Sequence, residues 1–299
     1  MRFSKNDNWA VLTPIEQRIK AKIEKMGKPL KEWDINIYRG VLTGYNKAFI
    51  IDAATKDALI AKSSKNAEII RPILRGRDIK RYKADFADLW LIYIPWHFPL
   101  HNDPTIKGAS EIAEREFQKQ YPDVYYHLLK HKESLSKRNA SETGIRYEWY
   151  AMQRFGSNYM EDFSKQKIIY PNMTKYLPFY LDTKGYLQND KSFMITGKHL
   201  SYLTAFLNSS LFKYCFLDNF PELQGGTREL RKIFFDKIPV KKITDDIETC
   251  FMLLLNKIQE AIQSNISTKD IELQLDNMIF DIYGLSEEEK RSIGFIEIQ

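Results

Sequence analysis

The chain has 299 residues, 43% hydrophobic and 28% charged, which excludes a disordered or collagen-like polypeptide and leaves room for one large domain or two small ones. No apolar run approaches membrane-spanning length and no signal-peptide pattern opens the sequence, so neither a membrane protein nor a secreted one is expected. The formal charge of +6 favours an anionic partner.

The opening residues, MRFSKND, are polar and expected to fray. Thr13-Pro14-Ile15-Glu16 is a capping box with proline at the first helical position. Ile15, Ile19, Ile23 and Met26 form one apolar stripe, and Gly27 supplies the stop. PLKEWDINIY reads as a strand and leads into a loop at residues 40–45, followed by an apolar run at 48–51. Gly40, Thr43, Gly44 and Asn46 tolerate tight or positive-φ backbone and let a chain approach a ligand closely. Arg71, Arg75, Arg77, Lys80, Arg81 and Lys83 then crowd around one acid, Asp78. A solvated basic face and a grip on a phosphate backbone both fit that pattern.

DLWLIYIP is a short buried strand, and Pro95, Pro99 and Pro104 break the chain up to residue 108. One helix is expected near 110–119 and a second from Pro122 to about Arg138. The last turns of the second carry Lys130, Lys132, Lys137 and Arg138, as the helix dipole prefers. KIIYPNM and FYLDTKGYLQNDKSFMIT read as strands, with a hairpin turn at 182–185. Residues 200–216 read as a largely buried helix. Gly225-Gly226 is a flexible turn, and Thr227 is placed to cap a short helix, RELRKIFF. From Thr244 two amphipathic faces follow: Ile247, Phe251, Leu254, Leu255, Ile258 and Ile262, then Ile271, Leu275, Met278, Ile279 and Ile282. Gly284 stops the second, and Ser286 to Glu289 is another capping box.

These elements imply an α/β (mixed α+β) fold: an irregular mixed-sheet body with flanking helices and a C-terminal helical hairpin. The expected divisions are a leading helix at 1–30, a mixed α/β body at 31–242 and a helical segment at 243–299. The leading helix needs somewhere to bury its stripe, and the hairpin is the expected place. Cys215 and Cys250 lie in apolar helical surroundings and read as buried, reduced thiols, hence a cytoplasmic location.

Several motifs, in this order, resemble one family. They are MGKPLKEW, GVLTGYNKAFII, IIRPILRGRDIKRY, YPDVYYHLLKHKESLSKR, YEWYAMQR, QKIIYPNM, FLNSSLF, QGGTRELRKIFFDKIPV and IFDIYGLSEEE. Together they resemble the C-terminal target-recognition, TaqI-like specificity domain of type II restriction-modification adenine methyltransferases, and more loosely a recognition half of type I specificity subunits. The resemblance implies a module that reads double-stranded DNA beside a separate methyltransferase domain, which binds S-adenosylmethionine and flips the target adenine. Mg2+ is implied only where the parent enzyme also carries a nuclease. This chain has no Asn/Asp-Pro-Pro-Tyr/Phe motif; Pro171 and Pro178 sit in YPNMTKYLP instead. No cofactor and no catalytic residue is therefore expected within it.

The resemblance also sorts the DNA candidates. Thr43, Tyr45, Asn46, Lys47, Gln153, Arg154, Lys175 and Gln224 are candidates for base reading, with Tyr176 beside Lys175. Asn46 equally suits holding its own turn. Arg75, Arg77, Lys80, Arg81, Thr227, Arg228 and Arg231 are phosphate candidates, although Arg75 and Asp78, three apart, also suit an internal ion pair. Two other functions remain open. A stand-alone metal-dependent nuclease would use Asp182-Thr183-Lys184 with Pro122-Asp123, a set more simply read as a turn and a helix start. A type I-like docking module would bind its partner through the terminal helices. His127 and His131, four apart, lack a third ligand, and no metal site is expected there or at His97 and His101.

Overall fold

Apolar runs too short for helices build two four-stranded sheets, and these dominate the larger of two compact units. The computed structural model describes residues 12–296, so the MRFSKND stretch lies outside the described residues. The sheet-bearing unit comprises Asn36–Met173 and Pro178–Leu200. The helical unit gathers the N-terminal residues to Ile35, the short stretch Thr174–Leu177 and the chain from Ser201 onward.

In the first sheet the spatial order is Tyr180–Asp182, Lys167–Pro171, Ser192–Gly197, Ile35–Arg39. Lys167–Pro171 is buried at all five positions, which explains its unbroken apolar run. It pairs antiparallel with both neighbours, Ile168 facing Leu181 on one side and Ile195 on the other. The second sheet runs Leu187–Gln188, Ile70–Leu74, Leu89–Ile92, Ile50–Asp52. Here Leu187 pairs parallel with Ile73, whereas the other pairings are antiparallel.

Helices Glu111–Gln120 and Pro122–Leu129 add an aromatic cluster to this unit. The Phe117 ring meets those of Phe98, Tyr121, Tyr125 and Tyr150 at 4.7–6.2 Å. Such contacts contribute packing beyond simple area burial.

Three expectations are corrected. The helix from Pro122 breaks after Leu129 and resumes as Lys132–Lys137, with His131 as the joint. The turn at 182–185 forms, with Gly185 at φ 73°, but no hairpin results: its flanking strands enter different sheets. PLKEWDINIY divides into a 3-10 turn, Leu30–Glu32, and the strand Ile35–Arg39.

In the helical unit, helix Pro14–Met26 starts with the expected box: Thr13 and Glu16 cap each other's backbone amides. Its Ile19 and Ile23 are buried. Its polar face meets the last helix, Glu287–Ile293, through Arg18–Glu288 at 2.7 Å and Lys22–Glu289 at 2.6 Å. The hairpin itself forms from Asp245–Gln263 and Lys269–Ile282. Residues 200–216 make two helices, Leu200–Leu207 and Ser210–Phe216, because Ser209 caps the second from within. Thr227 caps no helix: it opens a strand, Thr227–Glu229, paired with Glu222–Leu223 across the glycine turn, and helix Lys232–Phe235 follows. Cys250 is exposed and Cys215 only partly buried, against the expectation of two core thiols; burial still pushes the Cys215 thiol up to about 12. Among the described residues no helix is long and apolar enough to cross a membrane.

Candidate nucleic-acid interface

The loop at 40–47 owes its shape to its own side chains. Thr43 is 3% exposed; its hydroxyl donates to Asn46 Oδ1 at 2.7 Å and accepts the Tyr45 amide at 3.2 Å. Thr43 therefore builds the loop and is withdrawn from the base-reading set. Gly44 adopts φ 77°, and a Cβ there would stand 2.8 Å from Gln153 Oε1 and 2.9 Å from Arg138 Cδ. Only glycine fits that approach. Gly40 is used likewise: a Cβ on it would lie 2.1 Å from the Asn189 carbonyl oxygen. Its closeness serves the protein's own backbone rather than a ligand.

The loop is tied to the segment after Trp149. Leu42 and Arg154 exchange backbone hydrogen bonds at 2.9 and 2.8 Å. Beneath them lies Arg138, 8% exposed. Its guanidinium donates to the carbonyls of Leu135, Thr43, Trp149 and Ala151. Burial lowers its pKa to about 10, and among the described residues no carboxylate pairs with it. It caps the end of helix Lys132–Lys137 through the Leu135 carbonyl, as the dipole favours, and clamps three carbonyls from outside that helix as well. His127 and His131 also serve the loop: the His127 ring nitrogen faces the Ala48 carbonyl at 3.1 Å, and the His131 ring lies 5.8 Å from that of Tyr45. Burial holds the His127 pKa below its ordinary value.

The fold therefore brings together Tyr45, Asn46, Lys47, Gln153 and Arg154. Asn46 and Lys47 are exposed, while Tyr45 and Gln153 are half-buried. Arg154 is exposed but held by Glu142 at 2.8 Å. That hydrogen bond keeps the Glu142 carboxyl below the usual range, outweighing the opposing effect of burial. Lys175, Tyr176 and Gln224 are exposed but belong to the helical unit.

The basic cluster separates into engaged and available cations. Arg75 grips Asp78 through Nε at 2.9 Å and a second nitrogen at 2.7 Å, and the Asp78 carboxylate also caps the Arg75 amide. Arg75 is thus a structural ion pair and leaves the phosphate set. The pair closes the turn Gly76–Asp78, which presents Arg77 outward. Lys80 and Lys83 face each other on the small antiparallel pair Ile79–Lys80 and Lys83–Ala84, and both are exposed. Lys83 pairs with Asp85 at 3.0 Å. The Arg81 guanidinium lies 4.7 Å from the Tyr82 ring centroid.

In the helical unit, Arg228 is engaged by Asp218 at 2.8 Å, Glu222 at 3.2 Å and the Phe220 carbonyl. Arg231 pairs with Glu229 at 2.8 Å. With Thr227 in a strand, the helix start moves to Arg231, which takes the N-cap position of Lys232–Phe235, and Arg228 and Arg231 are each engaged by acids of their own unit.

The nuclease set is also accounted for. Asp182 and Lys167, both fully buried, pair at 2.6 Å, and the Asp182 carboxylate accepts the amides of Lys184 and Tyr186 as well. A carboxylate so occupied is a structural anchor. Asp123 pairs with Lys62 at 3.7 Å. Glu148 accepts the His97 and Ser110 amides and contacts the His97 ring at 3.0 Å.

The sequence resembles known proteins in a consistent way. A family model described as the TaqI-like C-terminal specificity domain matches residues 71–240. A type II methyltransferase, M.MjaIV of Methanocaldococcus jannaschii, is 21% identical over 250 residues, which is 80% of this chain and 76% of that protein. The solved type IIL restriction-modification enzyme MmeI, in complex with DNA, superposes with a TM-score of 0.56 and 12% identity over 87% of this chain. The type IIG restriction endonuclease BpuSI gives a TM-score of 0.47 with 14% identity over 91% of this chain. The chain spans only 34% and 33% of those two enzymes, and the likeness to MmeI is one of fold. The family match extends over more than half of the 299 residues, and the chain belongs to the TaqI-like C-terminal specificity domain family.

Proposed function

We propose that this chain reads duplex DNA as the specificity module of a type II restriction-modification enzyme. Its role is to position a separate adenine-N6 methyltransferase domain on the recognised site. The observation that carries the reading is the Arg138 clamp. It fixes two sequence-distant polar segments, the loop of exposed Asn46 and Lys47 and the segment of half-buried Gln153 and exposed Arg154, into one group. Asn and Gln pair with adenine, and Lys and Arg with guanine, when held rigidly against base edges. Arg77 and Lys80 supply exposed cations on the same unit for the phosphate backbone.

S-adenosylmethionine is a requirement of the separate methyltransferase domain, and Mg2+ of any nuclease in the parent enzyme. No residue of this chain is assigned to either. The setting is the cytoplasm, in keeping with two free thiols.

The test is binding selection on a randomised duplex library, using the chain alone at low salt and fused to its catalytic domain. A defined recognition site should emerge, and Asn46→Ala or Gln153→Ala should relax preference at one base pair by roughly 1–3 kcal/mol. Absence of DNA affinity in both formats would sink the proposal.

A further inference from the structure

A cleft of about 280 Å³ opens beside the Leu42–Arg154 bridge, within the sheet-bearing unit. Its wall is aromatic: Trp96, Phe155 and Tyr159 are all half-buried there. Each ring is held from behind. Trp96 stacks on Tyr147 with centroids 4.9 Å apart and donates Nε1–H to the Met152 carbonyl at 2.8 Å. Tyr159 stacks on Tyr38 at 4.3 Å and donates its hydroxyl to the Arg39 carbonyl at 3.0 Å. Phe155 meets Trp96 edge to face at 5.9 Å. The wall is therefore preorganised.

The charge around it is net positive. Arg39, Arg146 and Arg154 stand at or beside the cleft against two carboxylates, Asp190 and Glu142. The Arg146 and Arg154 guanidiniums lie 5.4 and 5.9 Å from the Trp96 ring centroid. Asn158 is exposed on the rim. The volume lies just under the range of about 300–1,000 Å³ typical of small-ligand pockets, so it suits one planar ring system rather than a dinucleotide. A rigid aromatic wall with cationic edges and polar rim groups suits a nucleobase that has left the helical stack.

We propose that this cleft receives one unstacked nucleobase of the bound DNA, next to the segments that read the paired bases. This rests on the DNA-reading role proposed above and adds a second mode of contact to it: stacking on an extrahelical base. The cleft's continuity with the reading loop through Leu42 and Arg154 places it where a base displaced from the contacted duplex arrives. No covalent step is involved.

The test compares two duplexes bound by the full chain at low salt: one fully paired, the other carrying a single bulged 2-aminopurine. The bulged duplex should bind about tenfold more tightly, as stacking of one base predicts, and 2-aminopurine emission should fall on binding. Ser157→Phe, an exposed position on the cleft, should abolish both the preference and the quench while leaving affinity for the paired duplex unchanged. Ser157→Ala should retain both. Equal binding of the two duplexes, or a preference that survives Ser157→Phe, overturns the cleft proposal and leaves DNA reading intact. Failure to bind either duplex, both alone and fused to the catalytic domain, overturns both.

Discussion

The guanidinium of Arg138 donates to the main-chain carbonyl of Thr43, a residue 95 positions earlier in the chain. Through Trp149 and Ala151 the same group holds the segment that carries Gln153. The buried cation is solvated by carbonyl dipoles and by the faces of the Phe49 and Tyr147 rings, 5.3 and 5.8 Å away. Replacing it by alanine strands these acceptors in a dry site. Arg138→Ala should cost about 2–4 kcal/mol in urea unfolding, and Arg138→Lys should recover only part, because one ammonium cannot span four acceptors. Wild-type stability in the lysine protein would contradict the clamp.

Lys167 and Asp182 form an ion pair with neither side chain exposed. Desolvation holds the Lys167 pKa below its ordinary value, against the pull of Asp182. Removing one partner leaves an uncompensated charge, whereas removing both replaces it with apolar contact. Asp182→Ala should therefore destabilise by about 3–5 kcal/mol, and the double variant Lys167→Met with Asp182→Leu by clearly less. Chemical denaturation of the two proteins measures the difference.

Arg75 and Arg77, two residues apart, should behave differently in DNA binding. Arg77 is exposed, while Arg75 is spent on Asp78. Arg77→Ala should weaken binding to every sequence and flatten the plot of log affinity against log salt by roughly one unit. Arg75→Ala should lower the melting temperature and leave the salt slope near its original value. Fluorescence anisotropy over a salt series separates the two outcomes.

Asp78 and Glu289 both have folded-state pKa values below their ordinary ones. Burial pushes each up, but the bonds from Arg75 to Asp78, and from Lys22 to Glu289, outweigh it. A depressed carboxyl pKa contributes stability above the unfolded value of about 4, and that contribution is lost as pH falls through the folded value. Melting temperature should fall as pH drops below about 4, and Asp78→Asn should flatten the fall.

What the sequence made legible was local. Thr13 with Glu16, and Ser286 with Glu289, form the boxes their spacing demands, because a cap needs only residues three apart. The strand Lys167–Pro171 was readable from its apolar run. The glycine at 185 marked a turn correctly but not what the turn joins. Tyr180–Asp182 and Leu187–Gln188 choose partners far away in sequence, and a turn residue carries no information about them. The same limit applied to the site. The loop at 40–47 announced itself by composition, whereas the fates of Arg75, Arg228 and Arg231 depend on which acid lies nearby in space. Arg138 looked like the last cation of a helix because nothing local reveals four converging carbonyls.

The two units also differ in when their chain is complete. The sheet-bearing unit has all its residues once Leu200 has been made. The helical unit does not: its first strand, Lys28–Pro29, pairs with Pro239–Val240, and its first helix meets Glu287–Ile293. On a translating ribosome helix Pro14–Met26 must therefore wait for Glu287–Ile293 before these ion pairs can form, while the unit encoded between them can already fold. A nascent chain stalled far enough beyond residue 200 for Leu200 to have left the exit tunnel should carry a protease-resistant sheet-bearing unit and a cleavable helix Pro14–Met26, and it is during this interval that a chaperone would find something to hold.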